Sequence, residues 1–162
     1  MKAPSARLLG FAAACQLAAL PLATAPAQAA PPSYIEHRGA PGSAPLPFSD
    51  AVLADGTLHV AGHLGIDPHT GNAVADPAAE ARAVMDAVQH TVQAAGLRMD
   101  DLVSVTVYCT DLALYDTFNG VYRGYFHGHY PARAFIGVAQ LLRGAHFEVA
   151  AVGVKPVQPA SR

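Results

Sequence analysis

The architecture of this chain follows most directly from residues 48–64, FSDAVLADGTLHVAGHL. Residues 48–54 and 57–64 have the apolar alternation of β-strands. Between them lies Asp55-Gly56, a dipeptide that favours the two-residue turn of a β-hairpin. The stretch therefore predicts two antiparallel strands, on which the rest of a sheet is built.

Two helices and further strands are predicted after this hairpin. Asp76 suits the N-cap of a helix that has Pro77 at its first position and ends at Gly96. A strand rich in β-branched residues is predicted over residues 102–110, and strands over 133–141 and 147–154 flank the turn at Arg143-Gly144. Apolar residues at helical spacing mark the core side of a second helix, which ends before Pro131: Leu114, Phe118, Val121, Tyr122, Tyr125 and Phe126.

The resulting order, ββαβαββ with a possible leading strand over residues 33–37, predicts an α+β fold with both helices on one face of a sheet. The chain has 162 residues, of which 52% are hydrophobic and 14% charged, and this composition fits one globular domain rather than a disordered chain. We assign that domain to residues 30–162. Its first part, residues 30–47, contains five prolines and is predicted to be an extended entry segment.

Residues 1–29 have the pattern of a secretory signal peptide. Lys2 and Arg7 precede an apolar run over residues 8–22, and Ala27-Gln28-Ala29 is a small-x-small cleavage motif. The run is shorter than the roughly 20 residues of a membrane span. We therefore expect cleavage after Ala29 and a periplasmic or secreted protein, with a retained tail or a lipidated Cys15 as the alternatives.

The charge of the mature chain disfavours polyanionic partners. Removal of Lys2 and Arg7 from the 10 basic residues leaves 8 against 12 acidic residues, a net charge of −4. A nucleic-acid partner or an anionic membrane surface is therefore not expected. Cleavage also leaves Cys109 as the only thiol, and its place in an apolar strand favours burial over reactivity.

A set of short motifs occurs in one order along the chain. In sequence they are Pro47-Phe48-Ser49-Asp50-Ala51-Val52, Val60-Ala61-Gly62-His63, Asp67-Pro68-His69-Thr70-Gly71, Ala94-Ala95-Gly96, Val105-Thr106-Val107-Tyr108, Asn119-Gly120-Val121-Tyr122 with Tyr125-Phe126, and Pro131-Ala132-Arg133. Together, over residues 33–155, they resemble the RidA (YjgF, reactive-intermediate deaminase) family. The resemblance implies a chorismate-mutase-like fold, a homotrimer with small-molecule sites between subunits, and hydrolysis of imines of 2-amino acids to 2-keto acids and ammonia without a cofactor.

The resemblance also implies roles for three residues. Arg133 matches the family's carboxylate-binding arginine, and a planar guanidinium holds a carboxylate through two parallel hydrogen bonds. Gly62 matches a glycine whose backbone faces the ligand, and Asn119 matches an asparagine of the second helix. From the residues alone, Arg133 could instead pair with an acid such as Glu148, Gly62 could form a bulge, and Asn119 could satisfy local backbone groups.

Four positions depart from the family pattern. Phe48, Ala61 and Phe135 stand where family members carry Tyr, Ser, and Ser or Cys, so three polar contacts are absent. Ala150 stands where we expect the water-positioning glutamate of the family. Glu148 lies on the same strand face, but about 6.6 Å along the strand, which is too far to replace that acid directly. We therefore assign no catalytic residue and predict weak deamination.

The eight histidines do not form a recognisable metal motif. His59 and His63 are predicted on one face of a strand, about 13 Å apart, which is too far for one ion. Neither a metal nor any other cofactor is expected.

Two functional hypotheses follow. The first is an exported RidA-like protein that binds small 2-imino or 2-keto carboxylates and hydrolyses 2-imino acids weakly. The second is a non-catalytic trimer that binds a small carboxylate in an apolar pocket formed by Phe48 and Phe135. A Gly-x-Ser-x-Gly hydrolase motif and a Gly-x-x-x-x-Gly-Lys phosphate loop are both missing from the sequence.

Overall fold

The computed structural model describes residues 30–36, 44 and 46–156. The predicted signal peptide, residues 1–29, and part of the predicted entry segment lie outside the described residues. The cleavage site and the export of the protein therefore stay predictions.

The described chain forms a six-stranded mixed sheet and two α-helices. The strands are β1 (Ser33–Glu36), β2 (Ser49–Ala54), β3 (Thr57–Leu64), β4 (Leu102–Cys109), β5 (Ala132–Gly137) and β6 (Phe147–Val154), and the helices are α1 (Pro77–Ala94) and α2 (Tyr115–Tyr122). The strand order is β1-β2-β3-β6-β4-β5. Among these described strands only β4 and β5 pair in parallel, so the predicted α+β class is confirmed.

Local sequence signals account for the hairpin and for α1. Asp55 and Gly56 both have positive φ angles, 47° and 76°, as a tight hairpin turn requires. The Asp76 side chain accepts a hydrogen bond of 2.7 Å from the Ala79 N–H and caps α1. Gly96, with φ at 77°, ends this helical segment.

Both helices pack on one face of the sheet, as predicted. The α1 residues Val84, Met85 and Val88 are fully buried there. The ring centres of Phe118 on α2 and Phe147 on β6 are 5.0 Å apart. Burial of this apolar face supplies most of the favourable free energy of folding. In the part of the chain that the structure describes, no helix is long and apolar enough to cross a membrane.

The strand predicted over residues 133–141 is too long. β5 ends at Gly137 because its partner in the described sheet, β4, ends at Cys109, the residue opposite Gly137. β6 then runs between β3 and β4, so the two strands that flank the Arg143-Gly144 turn do not pair with each other.

A β-bulge in β3 corrects the prediction that His59 and His63 share one face. Val60 pairs with Ala151 and His63 with Val149, so Ala61 and Gly62 together oppose the single residue between those partners. The extra residue shifts the alternation of side chains, so that residues after the bulge point to the opposite face from the one that strict alternation predicts. His59 therefore lies on the sheet face opposite the two helices, which we call the open face. His63 instead faces the helices, and its Nε2 lies 3.2 Å from the Thr91 hydroxyl.

Candidate functional site

Arg133 lies on β5 with its guanidinium among aromatic rings. Its Nη2 donates a 2.7 Å hydrogen bond to the Asn119 side-chain oxygen. The guanidinium carbon lies 4.6 Å from the ring centre of Tyr122, 5.7 Å from that of Tyr115 and 5.8 Å from that of Phe135. Rings at these distances attract a cation and hold the guanidinium in a fixed orientation.

Arg133 makes no ion pair within the described residues. Glu148, the acid considered as its partner, lies two strands away on β6 and on the opposite face of the sheet. A guanidinium has five N–H donors. Among the described residues, Arg133 uses only those of Nη2, on Asn119 and, at 3.5 Å, on the Tyr115 hydroxyl. A half-buried guanidinium with unused donors has the geometry to accept an anionic ligand.

The tyrosine beneath Arg133 does not neutralise it. Burial raises the pKa of Tyr122 to about 12, against the opposing effect of the nearby Arg133 cation. Tyr122 is therefore neutral at physiological pH, and its buried hydroxyl has no hydrogen-bond partner among the described residues. The positive charge of Arg133 stays available to a ligand.

The β3 bulge forms a second cluster of predicted site residues. A Cβ atom at Gly62 would collide with the carboxylate of Glu148, so a larger residue here would displace the end of this side chain. Ala61 lies in the same bulge and is half-buried. Phe48 precedes β2 and is 55% exposed.

Ala150 lies on the open face of the sheet, opposite the bulge. It pairs with Thr106 and lines a cavity of about 160 Å³ together with His59 and Ser104. Glu148 and Ala150 alternate with buried residues on β6, so they share this face, as the sequence indicated.

The structure thus divides the predicted site residues into two groups. Arg133, Asn119 and Phe135 lie together at the β5 edge, whereas Gly62 and Ala61 lie beside Glu148 on β3 and β6. Three strand spacings separate β3 from β5, about 14 Å. One chain does not bring the two groups together.

Sequence reasoning missed Tyr115 and Tyr122 as neighbours of Arg133. The sequence contained a signal for this: Tyr115, Asn119 and Tyr122 are positions i, i+4 and i+7 of α2, and residues at this spacing share one face of a helix. Among the described residues, no group of three or more His, Cys, Asp or Glu side chains could hold a metal ion.

Comparison with known proteins identifies the family. The family model described as Endoribonuclease L-PSP matches residues 40–155. The 2-iminobutanoate/2-iminopropanoate deaminase of Homo sapiens is 36% identical over 117 residues, which cover 71% of this chain and 85% of that protein. The chain belongs to the RidA/YjgF family.

Other RidA/YjgF proteins show the same relationship in sequence and fold. The Escherichia coli K12 protein of the same deaminase name is 35% identical and matches 67% of this chain and 88% of its own length. The Escherichia coli YjgF crystal structure has a TM-score of 0.64 at 33% identity, covering 72% of this chain and 91% of that chain. Escherichia coli TdcF with bound serine has a TM-score of 0.68 at 32% identity, covering 76% and 99%.

Proposed function

We propose that this RidA-family chain hydrolyses 2-imino acids to 2-keto acids and ammonia without a cofactor. The observation that carries the proposal is the half-buried Arg133 guanidinium, which has aromatic neighbours and no acidic partner within the described residues. The deaminase names of relatives at 35% and 36% identity agree with this chemistry.

Arg133 is the proposed carboxylate-binding group. Its Nη1 and Nε donors are not used by other described residues and can hold the two oxygens of a carboxylate. The Asn119 oxygen fixes the rotation of the guanidinium plane through Nη2. A carboxylate bound to a guanidinium of fixed orientation holds the attached imine carbon in one position for attack by water.

Glu148 is the proposed water-orienting acid. Its carboxylate occupies the space over Gly62, the glycine expected to face the ligand. There it would accept a hydrogen bond from a water whose oxygen attacks the C=N carbon, take the released proton and pass it to the imine nitrogen. Glu148 would then transfer the hydroxyl proton of the resulting amino alcohol to its nitrogen, so that the C=O bond forms as the C–N bond breaks, and ammonia and the 2-keto acid are released.

This assignment differs from the expectation that Ala150 leaves the site without an acid. The absence of the family acid at position 150 stays a prediction, and the proposal for Glu148 is supported by the position of its carboxylate against Gly62. Glu148 does not occupy the place of a side chain at position 150, so the substrate would have to bind closer to Gly62. Weak turnover stays a prediction based on Ala150, and a non-catalytic carboxylate-binding protein stays the second candidate. The replacement of three polar family positions by Phe48, Ala61 and Phe135 favours that second candidate.

The complete site is proposed to form between neighbouring copies of a homotrimer. The strands that carry Arg133 and Gly62, β5 and β3, are about 14 Å apart across the sheet, and Arg133 and Glu148 lie on opposite sheet faces. A second chain that contributes its β3 and β6 to the β5 edge of the first would supply the missing half. The open sheet face also carries the exposed Ile136 and Val154, which association would cover.

Trapping of imino acids with semicarbazide tests the proposal. An amino acid oxidase generates the imines in situ, and semicarbazide traps them as semicarbazones. Hydrolysis by the protein is measured as a lower rate of semicarbazone formation and a higher rate of keto-acid release. We expect wild type and the control Arg123→Ala, an exposed arginine beside α2, to accelerate hydrolysis. Arg133→Ala should lower kcat/KM at least about a hundredfold, the usual cost of an unpaired charged ligand group.

Arg133→Lys tests whether a positive charge at this position is sufficient or whether two parallel hydrogen-bond donors are also needed. Lysine keeps the charge but cannot bind a carboxylate through two parallel donors, so we expect an intermediate loss that appears mainly in KM. Wild-type activity together with unchanged kcat/KM in Arg133→Ala would overturn the assignment of Arg133. Tight keto-acid binding without hydrolysis would favour the non-catalytic candidate.

A further inference from the structure

We propose that the subsite beside Arg133 selects 2-imino acids with an aromatic side chain, and that Phe135 and Tyr115 are the residues that recognise it. The inference rests on the proposed function, because Arg133 must hold the carboxylate. It adds a substrate class that the names of the relatives do not contain.

The two rings form an open corner next to the guanidinium. The Phe135 ring centre lies 5.8 Å from the guanidinium carbon of Arg133. The Tyr115 ring stands at 84° to that of Phe135, with 5.0 Å between ring centres. Tyr115 is 44% exposed, so part of its surface is free to contact a third ring.

The apolar surface continues away from Arg133 along β5. Arg133, Phe135 and Gly137 are alternate residues of the strand and share a face, with about 6.6 Å between successive members. Leu112 covers Gly137, where an added Cβ would lie 3.3 Å from its side chain. Leu112 is 57% exposed, so the surface stays apolar from the guanidinium to this leucine.

The chemistry of this surface fits an aromatic imino acid. In the imine of phenylalanine, two carbon atoms separate the carboxylate from the ring, so a carboxylate on Arg133 brings the ring to the Phe135–Tyr115 corner. Edge-to-face contacts with both rings would then stabilise the complex. The methyl group of the alanine imine would leave the corner unfilled, and a hydroxymethyl group would lose hydration without gaining a partner from Phe135.

Competition between two imines tests the inference. D-amino acid oxidase acting on D-phenylalanine or D-alanine supplies the two achiral imines, and kcat/KM is measured for each. We expect wild type to prefer the phenylalanine imine about tenfold or more, the effect of two aromatic contacts. Tyr115→Ala should lower this preference about fivefold, whereas Tyr115→Phe, which keeps the ring, should retain it.

Two further variants complete the design. Phe135→Ala should also reduce the preference, measured as the ratio of the two kcat/KM values, whereas Leu142→Ala, an exposed leucine of the loop before β6, should leave this ratio unchanged. Equal kcat/KM for the two imines in wild type, or a preference unaffected by Tyr115→Ala, would overturn the inference.

Calorimetry with phenylpyruvate and pyruvate tests the same subsite without turnover. Tighter binding of phenylpyruvate, lost in Tyr115→Ala, supports the subsite even if hydrolysis fails. Equal affinities for the two keto acids overturn the subsite, whereas failure of both imines to react overturns the proposed function alone.

Discussion

Replacement of Glu80 by alanine should be among the most destabilising single changes in this protein. Glu80 lies in the first turn of α1 and is fully buried. Its Oε1 accepts hydrogen bonds from the backbone N–H groups of His146, at 2.7 Å, and Phe147, at 2.9 Å. Its Oε2 lies 2.7 Å from His146 Nδ1. One side chain therefore fixes the start of β6 to α1.

The magnitude follows from the groups left without partners. Glu80→Ala leaves two backbone N–H groups unsatisfied, of which that of Phe147 is buried, and each such loss costs about 1–3 kcal/mol. The cavity left by the side chain adds to this cost. We expect the free energy of unfolding to fall by about 3–5 kcal/mol, a large part of a typical domain's stability. Glu80→Gln keeps an oxygen for both amides and should lose only about 1–2 kcal/mol.

Equilibrium urea unfolding followed by circular dichroism measures this loss, with all variants at one protein concentration because association stabilises the folded state. Glu36→Ala, an exposed acid at the end of β1, is the control and should change stability by less than about 0.5 kcal/mol. Because Glu148 directly follows Phe147, folded Glu80→Ala should also show a lower kcat. A loss below about 1 kcal/mol in Glu80→Ala would refute the assignment of this carboxylate as the clamp between α1 and β6.

The remaining predictions concern Gly62, Cys109 and the mature N-terminus. Gly62→Ala should displace the Glu148 carboxylate and lower kcat at least about tenfold, and normal kcat in a folded variant would contradict the role of the bulge. Burial raises the pKa of the Cys109 thiol, so it should stay protonated and not react with Ellman's reagent at pH 7 until the protein is unfolded in urea. Rapid modification of the native protein would show that the strand opens. N-terminal sequencing of the exported protein should find Ala30 first, and retention of Met1 would contradict the signal-peptide prediction.

Local signals in the sequence predicted most of the secondary structure. The Asp55-Gly56 turn and the Asp76 and Gly96 boundaries of α1 depend on residues within a few positions of each other, so their chemistry is visible in the chain. The insertion of β6 between β3 and β4 and the early end of β5 depend on pairing with distant strands. No local pattern contains that information.

The candidate site was predicted less completely for the same reason. The family resemblance pointed to Arg133, but the rings around it come from α2 and from its own strand, and only packing brings them together. The bulge at Ala61 and Gly62 inserts one residue into β3, which turns His63 towards the helices and leaves space for Glu148 over Gly62. Strict alternation along a strand cannot predict either result.

Complementation between two inactive variants tests the central claim most directly. The claim is that Arg133 of one chain and Glu148 of another complete each site for imine hydrolysis. Arg133→Ala and Glu148→Gln should each be nearly inactive as homo-oligomers. Co-expressed chains with different affinity tags, purified through both tags, give mixed oligomers in which some interfaces keep both native residues.

The mixed oligomers should recover about a third of wild-type activity, because a trimer that contains both kinds of chain has both native residues at one of its three interfaces. A chain that carries both substitutions, mixed with wild type, is the control for subunit exchange. Mixed oligomers of the two single variants that stay as inactive as either parent would contradict the account, since Arg133 and Glu148 would then not complete a site between chains.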